Sequence, residues 1–392
     1  MIANHYFSAG VIMKNKSLFF LFILFLTTFV WTPKPEGSEI LWNNFMMTTQ
    51  IDGQQYALEA MAVRPDSTKK LPLAVIAHGS PPNAASRKTQ HVMSLSDMAL
   101  EFAQRGYVAL AFLRRGYGKS SGQWSESWGS TKKPQFVEGG RGTAADLRAA
   151  IDYGCQLDYV DPDKIIVVGH SAGGFGSIAL ASEAVNGLSA VINFAGGRGS
   201  KSLGNVAAVD SIVQAFGTFG KTARVPSLWI YAKNDGLFGP ALSQKFFLQF
   251  TNAGGQGDFI MLPPFGDEGH DLFIDRRGID ICRPHIDRFL RKHSLPTWDS
   301  RQEPAMQKLP APPHAGSKAR EAWQTYLSRP GNKAYVISKD GNHYGYKTRQ
   351  NSIQSAIEGA KNFCRDQCFI YSINDEIFLP NGKKIGRSHL PR

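Results

Sequence analysis

A serine set between glycines is the feature of this chain best suited to chemistry. The apolar run at 165–168 leads directly into Gly169-His170-Ser171-Ala172-Gly173, a Gly-x-Ser-x-Gly pattern. The run predicts a buried strand and residues 172–181 predict a helix, so Ser171 falls on the turn between them. Glycines suit such a turn because strand and helix backbones pass very close together there. The helix N-terminus favours negative charge nearby, so this serine is a candidate nucleophile.

A serine hydroxyl is a weak nucleophile at neutral pH and needs a base and a group that orients the base. Asp235 ends the apolar run at 225–235, and His270 follows the apolar run at 258–262. Alone, these would be an ordinary turn acid and a solvated histidine, but their order along the chain predicts a triad with the serine. Asp235 is the favoured acid because it ends a strand. The competing acids beside the histidine are Asp267, Glu268 and Asp271.

Two further loops complete a recognisable pattern. One is His78-Gly79-Ser80-Pro81-Pro82, which follows an apolar run, and the other is Arg114-Arg115-Gly116-Tyr117-Gly118-Lys119-Ser120. In this order with the serine turn, the chain resembles the α/β-hydrolases, above all the dienelactone hydrolase-like branch and its prolyl-oligopeptidase-type relatives. The resemblance covers about residues 39–295.

The resemblance implies an oxyanion hole made of two backbone N–H groups, those of Ala172 and Ser80. Such donors stabilise the charge on the tetrahedral intermediate, and the loss of one typically costs about 100- to 1,000-fold in rate. The nucleophile departs from the dienelactone hydrolase pattern, which has cysteine where this chain has Ser171. The lactone activity of that branch is therefore not carried over.

The elements around these motifs predict an α/β fold with a mostly parallel, doubly wound sheet. Residues 40–49 and 55–63 alternate around a turn, as antiparallel N-terminal strands do. Continuous apolar runs, typical of strands buried on both faces, then alternate with helical patterns such as 93–104 and 143–153. The connection at 195–224 is too short for a large lid, so we expect an open pocket.

Three side chains are candidates for substrate binding. Arg198 follows a predicted strand, where it would either bind a substrate carboxylate or lie solvated in its loop. Tyr117 and Trp124 lie in and after the fourth-strand loop, where they would either line the substrate pocket or pack under the loop.

The 392 residues exceed what one core usually needs, so we expect additions to a catalytic domain at 35–295. Residues 1–34 hold a charged stub and an apolar run, which predict a secretory signal of a bacterial protein. No Ala-x-Ala cleavage site follows, so an uncleaved membrane anchor is the alternative. Either predicts export to the periplasm or cell envelope.

After the catalytic domain we expect a Pro-rich linker at 296–316 and a small α+β accessory domain at 317–392. The sequence of this domain predicts a helix at 318–327, a strand at 333–338, a helix at 352–363 and a strand at 368–379. Parts of it weakly resemble a module appended to assorted bacterial envelope proteins, with no activity attached. A binding or stabilising role is the expectation.

Cysteine usage and charge limit the partners. Cys364 and Cys368 either form a small disulfide or are separate thiols, a Cys155–Cys282 bridge is also open, and no spacing suits a metal. We expect no metal and no cofactor. The net charge is +12, and from Gly316 onward 13 lysines and arginines face 6 acidic residues, which suits an anionic envelope surface. No nucleic-acid motif is present, so nucleic acid is not expected as a partner.

These observations predict a serine hydrolase that cleaves a small-molecule carboxylic ester through an acyl-enzyme on Ser171. His270 would act as the base and Asp235 as the acid that orients it. Two alternatives stay open. One is an exported serine peptidase of prolyl-oligopeptidase type, and the other is a non-catalytic envelope-binding protein on a hydrolase scaffold.

Overall fold

The computed structural model describes residues 40–81, 83–298, 309–329, 332–350, 353–364, 368–373 and 376–382. The expected signal or anchor at 1–34 lies outside these residues, as does part of the expected linker, 299–308. Within the described ranges, none of the helices is both long and apolar enough to span a membrane.

One large sheet organises most of the chain. The strands up to residue 262 are β1 Ile40–Ile51, β2 Gln54–Pro65, β3 Leu71–Ala77, β4 Val108–Phe112, β5 Val160–His170, β6 Leu188–Phe194, β7 Ser200–Ser202, β8 Asn205–Val206, β9 Ser227–Ala232 and β10 Gly257–Leu262. Eight of them form the sheet in the order β1-β2-β4-β3-β5-β6-β9-β10. The pairs β1–β2 and β2–β4 are antiparallel and the remaining pairs are parallel.

This strand order is that of the α/β-hydrolase fold, so the predicted fold is confirmed. The expected N-terminal hairpin is present as well, with Gln50 paired to Gln55 across the turn. β3, β5, β6 and β9 are neighbours in the sheet and run parallel. Their carboxyl ends therefore lie along one edge of the sheet. Ligand sites in open α/β sheets form at this carboxyl edge.

Helices cover both faces of the sheet. They are α1 Ala84–Lys88, α2 Ser96–Ala103, α3 Phe136–Cys155, α4 Ala172–Ala181, α5 Val209–Gly220, α6 Pro240–Asn252 and α7 Arg276–Lys292, with short 3₁₀ turns at Val92–Leu95 and Gly269–Asp271. One hydrophobic core holds side chains of α3, α4, α5 and α6, and a second holds those of α2 and α7. The sheet is therefore buried on both faces, which explains its continuous apolar strands.

Two helices differ from the sequence expectation. The helix expected at 143–153 begins earlier, at Phe136, and the one expected at 93–104 is a 3₁₀ turn followed by α2. Glycines in the first turns of α3 masked its start. A Cβ at Gly140 would meet the Phe219 ring at 2.7 Å, and one at Gly142 would overlap the Ser125 carbonyl. These glycines serve close packing and not a helix end.

A small C-terminal domain carries a second sheet. It contains α8 Ser317–Ser328, β11 Asn332–Ser338, β12 Tyr344–Gln350, α9 Ile353–Lys361, β13 Cys368–Ile373 and β14 Glu376–Ile377. The four-stranded antiparallel order is β12-β11-β13-β14. The sequence analysis missed β12, because this edge strand is largely half-buried and ends in the polar run Lys347 to Gln350. An edge strand with one partner needs no strong apolar pattern.

The cysteines pair within this small domain. Cys364 and Cys368 form a disulfide between α9 and β13. Cys155 and Cys282 are free, so the bridge left open between them does not form.

Candidate active site

Ser171 lies on a strained turn between β5 and α4. Its φ of 55° and ψ of −120° lie where residues with a side chain are rare. The turn is possible because its glycines allow close approach. A Cβ at Gly169 would overlap the Gly173 carbonyl, and one at Gly173 would stand 2.5 Å from the His78 carbonyl oxygen. The expected elbow geometry is therefore present, with Ser171 at its apex.

The loop after β3 lies against this serine. A Cβ at Gly79 would stand 3.1 Å from the Ser171 Cβ and 3.2 Å from His170 Nδ1. Ala172 is the first residue of α4, so its N–H has no acceptor within the helix. Among the described residues, no backbone carbonyl accepts the N–H of Ser80. The two expected oxyanion donors thus lie at the turn, and among the described residues their N–H groups have no backbone carbonyl acceptor.

Asp235 and His270 come together from separate loops. Both carboxylate oxygens of Asp235 lie near His270 Nδ1, at 3.1 and 3.2 Å. Because a carboxylate only accepts, Nδ1 carries the proton and Nε2 is left as the basic nitrogen. Burial raises the pKa of Asp235, but the hydrogen bond to His270 and the N–H groups of Leu237 and Phe238 outweigh it and hold the pKa below its usual value. The acid is therefore ionised at neutral pH.

Of the competing acids, Glu268 has a different task. Its Oε1 accepts the backbone N–H of His270 at 2.9 Å and that of Gly236 at 2.8 Å. One carboxylate oxygen therefore ties the histidine loop to the acid loop. Asp271 is exposed to solvent. Asp235 is the acid among the described residues that bonds to the histidine ring.

His170 is a residue that the sequence analysis missed. Its Nε2 lies 2.9 Å from the carbonyl oxygen of His270, so it donates to the backbone of the candidate base. Burial, with help from the charge of His270, lowers the pKa of His170 to about 3, so the ring is neutral. Its position as the variable residue of Gly-x-Ser-x-Gly was the available signal, because it adjoins the nucleophile in sequence and the base in space.

The serine and the histidine are not hydrogen-bonded to each other. Among the described residues, the His270 ring is hydrogen-bonded to the Asp235 carboxylate oxygens and not to Ser171 Oγ. The rings of His170 and His270 have centroids 4.9 Å apart, which places the base beside the serine turn. Catalytic hydrogen bonds are often long without substrate and tighten when it binds.

Arg198 is not a solvated loop arginine, and that expectation is wrong. Its side chain is buried, with Nη1 donating to the Glu126 carbonyl at 2.7 Å and Nη2 to Glu126 Oε2 at 2.6 Å. The same carboxylate pairs with Arg114, which is also fully buried. Burial raises the pKa of Glu126, but the charges of Arg114 and Arg198 outweigh it and hold the pKa well below its usual range. A guanidinium engaged in this way is not open to a substrate carboxylate.

Tyr117 is buried instead of lying at the rim. Its hydroxyl is 2.7 Å from Ser80 Oγ and 3.1 Å from Glu126 Oε2, and it accepts the indole N–H of Trp124 at 3.0 Å. Trp124 is half-buried, and the Arg87 guanidinium lies 4.1 Å from its ring centroid. Tyr117 therefore contacts the Ser80 loop directly, and Trp124 contacts the Tyr117 hydroxyl.

A cleft of about 530 Å³ opens beside the acid loop. Its lining is largely apolar and consists of Leu203, Gly204, Asn205, Val206, Val209, Asp235, Gly236, Leu237, Gly239, Pro240, Ala241 and Leu242. The β7–β8 hairpin forms one side, and the Gly204 N–H donates to the Gly236 carbonyl, which joins the hairpin to the acid loop.

Comparison with known proteins found matches to part of the chain. Residues 52–203 match the family model of X-Pro dipeptidyl-peptidases of the S15 peptidase family. A quorum-quenching protein, AidA, from Acinetobacter baumannii (strain MDR-ZJ06) is 31% identical over 147 residues, which are 38% of this chain and 42% of the relative. The chain thus spans less than half the length of the curated relative it matches. The family match includes Ser80 and Ser171 and ends before the acid and the histidine.

Several solved structures are similar over about two thirds of the chain. The Pyrococcus furiosus esterase Pf2001 has a TM-score of 0.46 at 17% identity, covering 67% of this chain and 94% of the esterase. An acetyl xylan esterase from Paenibacillus sp. R4 has a TM-score of 0.46 at 16% identity, covering 66% and 90%. A Pyrococcus horikoshii acylaminoacyl peptidase has a TM-score of 0.44 at 14% identity, covering 66% and 43%. Similarities this distant carry no argument about activity.

Proposed function

We propose that this α/β-hydrolase cleaves carboxylic esters through an acyl-enzyme on Ser171. One observation carries the proposal: a hydrogen-bonded Asp235–His270 pair reaches the same sheet edge as a serine held on a strained turn. The family match to residues 52–203 supports a hydrolase of the serine α/β type.

The reaction follows from the donors and acceptors present. His270 Nε2 takes the Ser171 hydroxyl proton as the oxygen attacks the ester carbonyl. The N–H groups of Ala172 and Ser80 hold the negative oxygen of the tetrahedral intermediate, and Asp235 stabilises the imidazolium. His270 then returns its proton to the leaving alcohol, and the acyl group stays on the serine. Water, deprotonated by the same histidine, releases the acid and restores the hydroxyl.

A label and a substrate series test the proposal together. The purified protein is treated with a fluorophosphonate probe and assayed with p-nitrophenyl esters of short and medium acyl chains, beside Ser171→Ala. We expect labelling and turnover in the wild type and neither in the variant. A folded wild type that takes no label and turns over no ester refutes the proposal and leaves the envelope-binding alternative. Quorum signals that contain an ester or lactone bond belong in the series, because one relative is named for quorum quenching.

A serine peptidase is the second candidate, and the family match to X-Pro dipeptidyl-peptidases favours it. The same acyl-enzyme chemistry serves both bonds, but an amide needs a protonated leaving nitrogen. Parallel assays with dipeptidyl X-Pro p-nitroanilides and the p-nitrophenyl esters separate the two. A higher kcat/KM on the anilides than on the esters selects the peptidase.

Export and an anionic partner surface are part of the proposal. The basic C-terminal tail and the apolar run at 18–26 motivate them. Expression of the full chain in a bacterial host, followed by fractionation, tests the location. Recovery of the protein with the cytoplasmic fraction argues against export.

A further inference from the structure

The His78–Ser80 loop is held from inside the protein by a buried charged cluster. This Arg–Glu cluster consists of Arg114, Glu126 and Arg198, with Tyr117 against it. All four side chains are almost fully buried. Glu126 is shared by both arginines and also lies 3.1 Å from the Tyr117 hydroxyl. The carboxylate is therefore the centre of the cluster.

The cluster and Tyr117 are hydrogen-bonded to both ends of the loop. At His78, Arg114 Nη1 donates to the carbonyl oxygen at 2.7 Å, and the Arg114 backbone N–H donates to the ring Nε2 at 3.1 Å. At Ser80, the Tyr117 hydroxyl lies 2.7 Å from the side-chain Oγ. The tyrosine ring also meets the His78 ring edge-on, with centroids 4.4 Å apart. These contacts at His78 and Ser80 restrain the backbone between the two residues.

The position of that backbone matters for the reaction proposed above. An oxyanion donor acts only when its N–H stands within about 2.7–3.1 Å of the developing charge. A buried Arg–Glu–Arg group is a poor device for stability, because its desolvation costs about as much as the ion pairs return. Here the same group fixes the loop that carries the Ser80 N–H.

We propose that Tyr117 and Glu126 are positioning residues of the oxyanion hole, acting through Ser80 Oγ. The proposal rests on the proposed hydrolase function. The Tyr117 hydroxyl contacts both Glu126 and Ser80, so the buried carboxylate fixes the position of Ser80 through the tyrosine. The indole N–H of Trp124 donates to the same hydroxyl and helps to fix it. Neither residue touches the substrate.

A double-mutant cycle on the esterase reaction tests this link. Tyr117→Phe and Ser80→Ala remove the same hydrogen bond from opposite ends, and both leave the Ser80 backbone N–H in place. We expect each to lower kcat about 10- to 100-fold, less than loss of a whole donor, with KM changed less than about 3-fold. The double variant falls no further than Tyr117→Phe alone, because Tyr117→Phe already removes the hydrogen bond that Ser80→Ala removes.

Tyr107→Phe is the matched control. Tyr107 is equally buried, and its hydroxyl bonds to the Pro296 carbonyl at 3.2 Å, away from the loop. We expect it to keep wild-type kcat, and melting temperatures of all variants report folding. If Tyr117→Phe does not fold, Ser80→Ala still must show the loss in kcat.

The outcomes separate the two proposals. With an active wild type, unchanged kcat in Tyr117→Phe or in Ser80→Ala overturns the positioning role, and so do losses that multiply in the double variant. A folded wild type that neither takes the fluorophosphonate label nor turns over esters overturns the hydrolase function, and the positioning role falls with it.

Discussion

Replacement of Asp235 by asparagine is the sharpest test of the acid–histidine pair. Asp235 Oδ1 accepts the N–H groups of Leu237 and Phe238 at 2.9 and 2.8 Å, and an amide oxygen accepts them equally well. The amide nitrogen then faces His270 Nδ1, which must give up its proton to accept. The ring proton moves to Nε2, and the base is lost. We therefore expect Asp235→Asn to fold as the wild type does and to lose most of its catalytic activity.

The expected loss in kcat is about 10⁴-fold, the size found for the equivalent change in a serine protease triad. At about 1.36 kcal/mol per tenfold, it corresponds to about 5.4 kcal/mol of activation free energy. Steady-state hydrolysis of p-nitrophenyl acetate at mildly alkaline pH measures it. Melting temperature and circular dichroism verify the fold.

Asp271→Asn is the matched control, because Asp271 adjoins His270 in sequence and is exposed. We expect its kcat within about 3-fold of the wild type, since a surface carboxylate contributes little. The reasoning is refuted if Asp235→Asn keeps more than about a tenth of the wild-type kcat. It is refuted also if the control loses more activity than Asp235→Asn.

Three further measurements test the structure. Burial lowers the pKa of His170 to about 3, whereas a histidine in the unfolded chain has a pKa of about 6.5. Between these two values the unfolded state binds one more proton than the folded state. The free energy of unfolding therefore drops as the pH falls through this window, by about 1.4 kcal/mol per pH unit. Melting curves at about pH 7.5 and about pH 5 must show a smaller drop for His170→Gln than for the wild type. Gly173→Ala places a Cβ 2.5 Å from the His78 carbonyl oxygen and should prevent folding or lower the melting temperature by several degrees. Gly316→Ala, with open space around it, should do neither, and equal melting temperatures of the two variants contradict the close packing of the turn. Alkylation of the denatured, unreduced protein should modify the two free cysteines but not Cys364 and Cys368, and mass spectrometry that finds all four modified excludes the disulfide.

The sheet was predictable because its strands are buried on both faces. A strand of that kind, such as β4, is apolar throughout, and polar residues mark where it ends. The order of the motifs then followed the order of the strands. Weaker elements escaped for a physical reason. The start of α3 contains glycines that pack against neighbours, and β12 pairs on one side only, so neither shows an apolar period.

The sequence predicts which side chains follow the strands of the sheet, but it does not show which other groups those side chains contact. Asp235 follows a strand and His270 follows the next, so their positions at one sheet edge follow from the fold. Glu268 competes with Asp235 in the sequence, but in the structure its Oε1 accepts backbone N–H groups of both loops. No pattern in a sequence distinguishes a carboxylate that meets a ring from one that meets a backbone.

Arg198 shows the same limit for charge. It lies 72 residues from Glu126 along the chain, and the two come from loops after β6 and β4, which are separated in the sheet by β3 and β5. A sequence shows that each loop carries a charge but not that the two charges meet inside the protein. A buried arginine without its carboxylate would be costly, so the ion pair is what allows Arg198 to lie there. A substrate role for Arg198, one of its two alternatives in the sequence, requires a free guanidinium, and that guanidinium is already paired with Glu126.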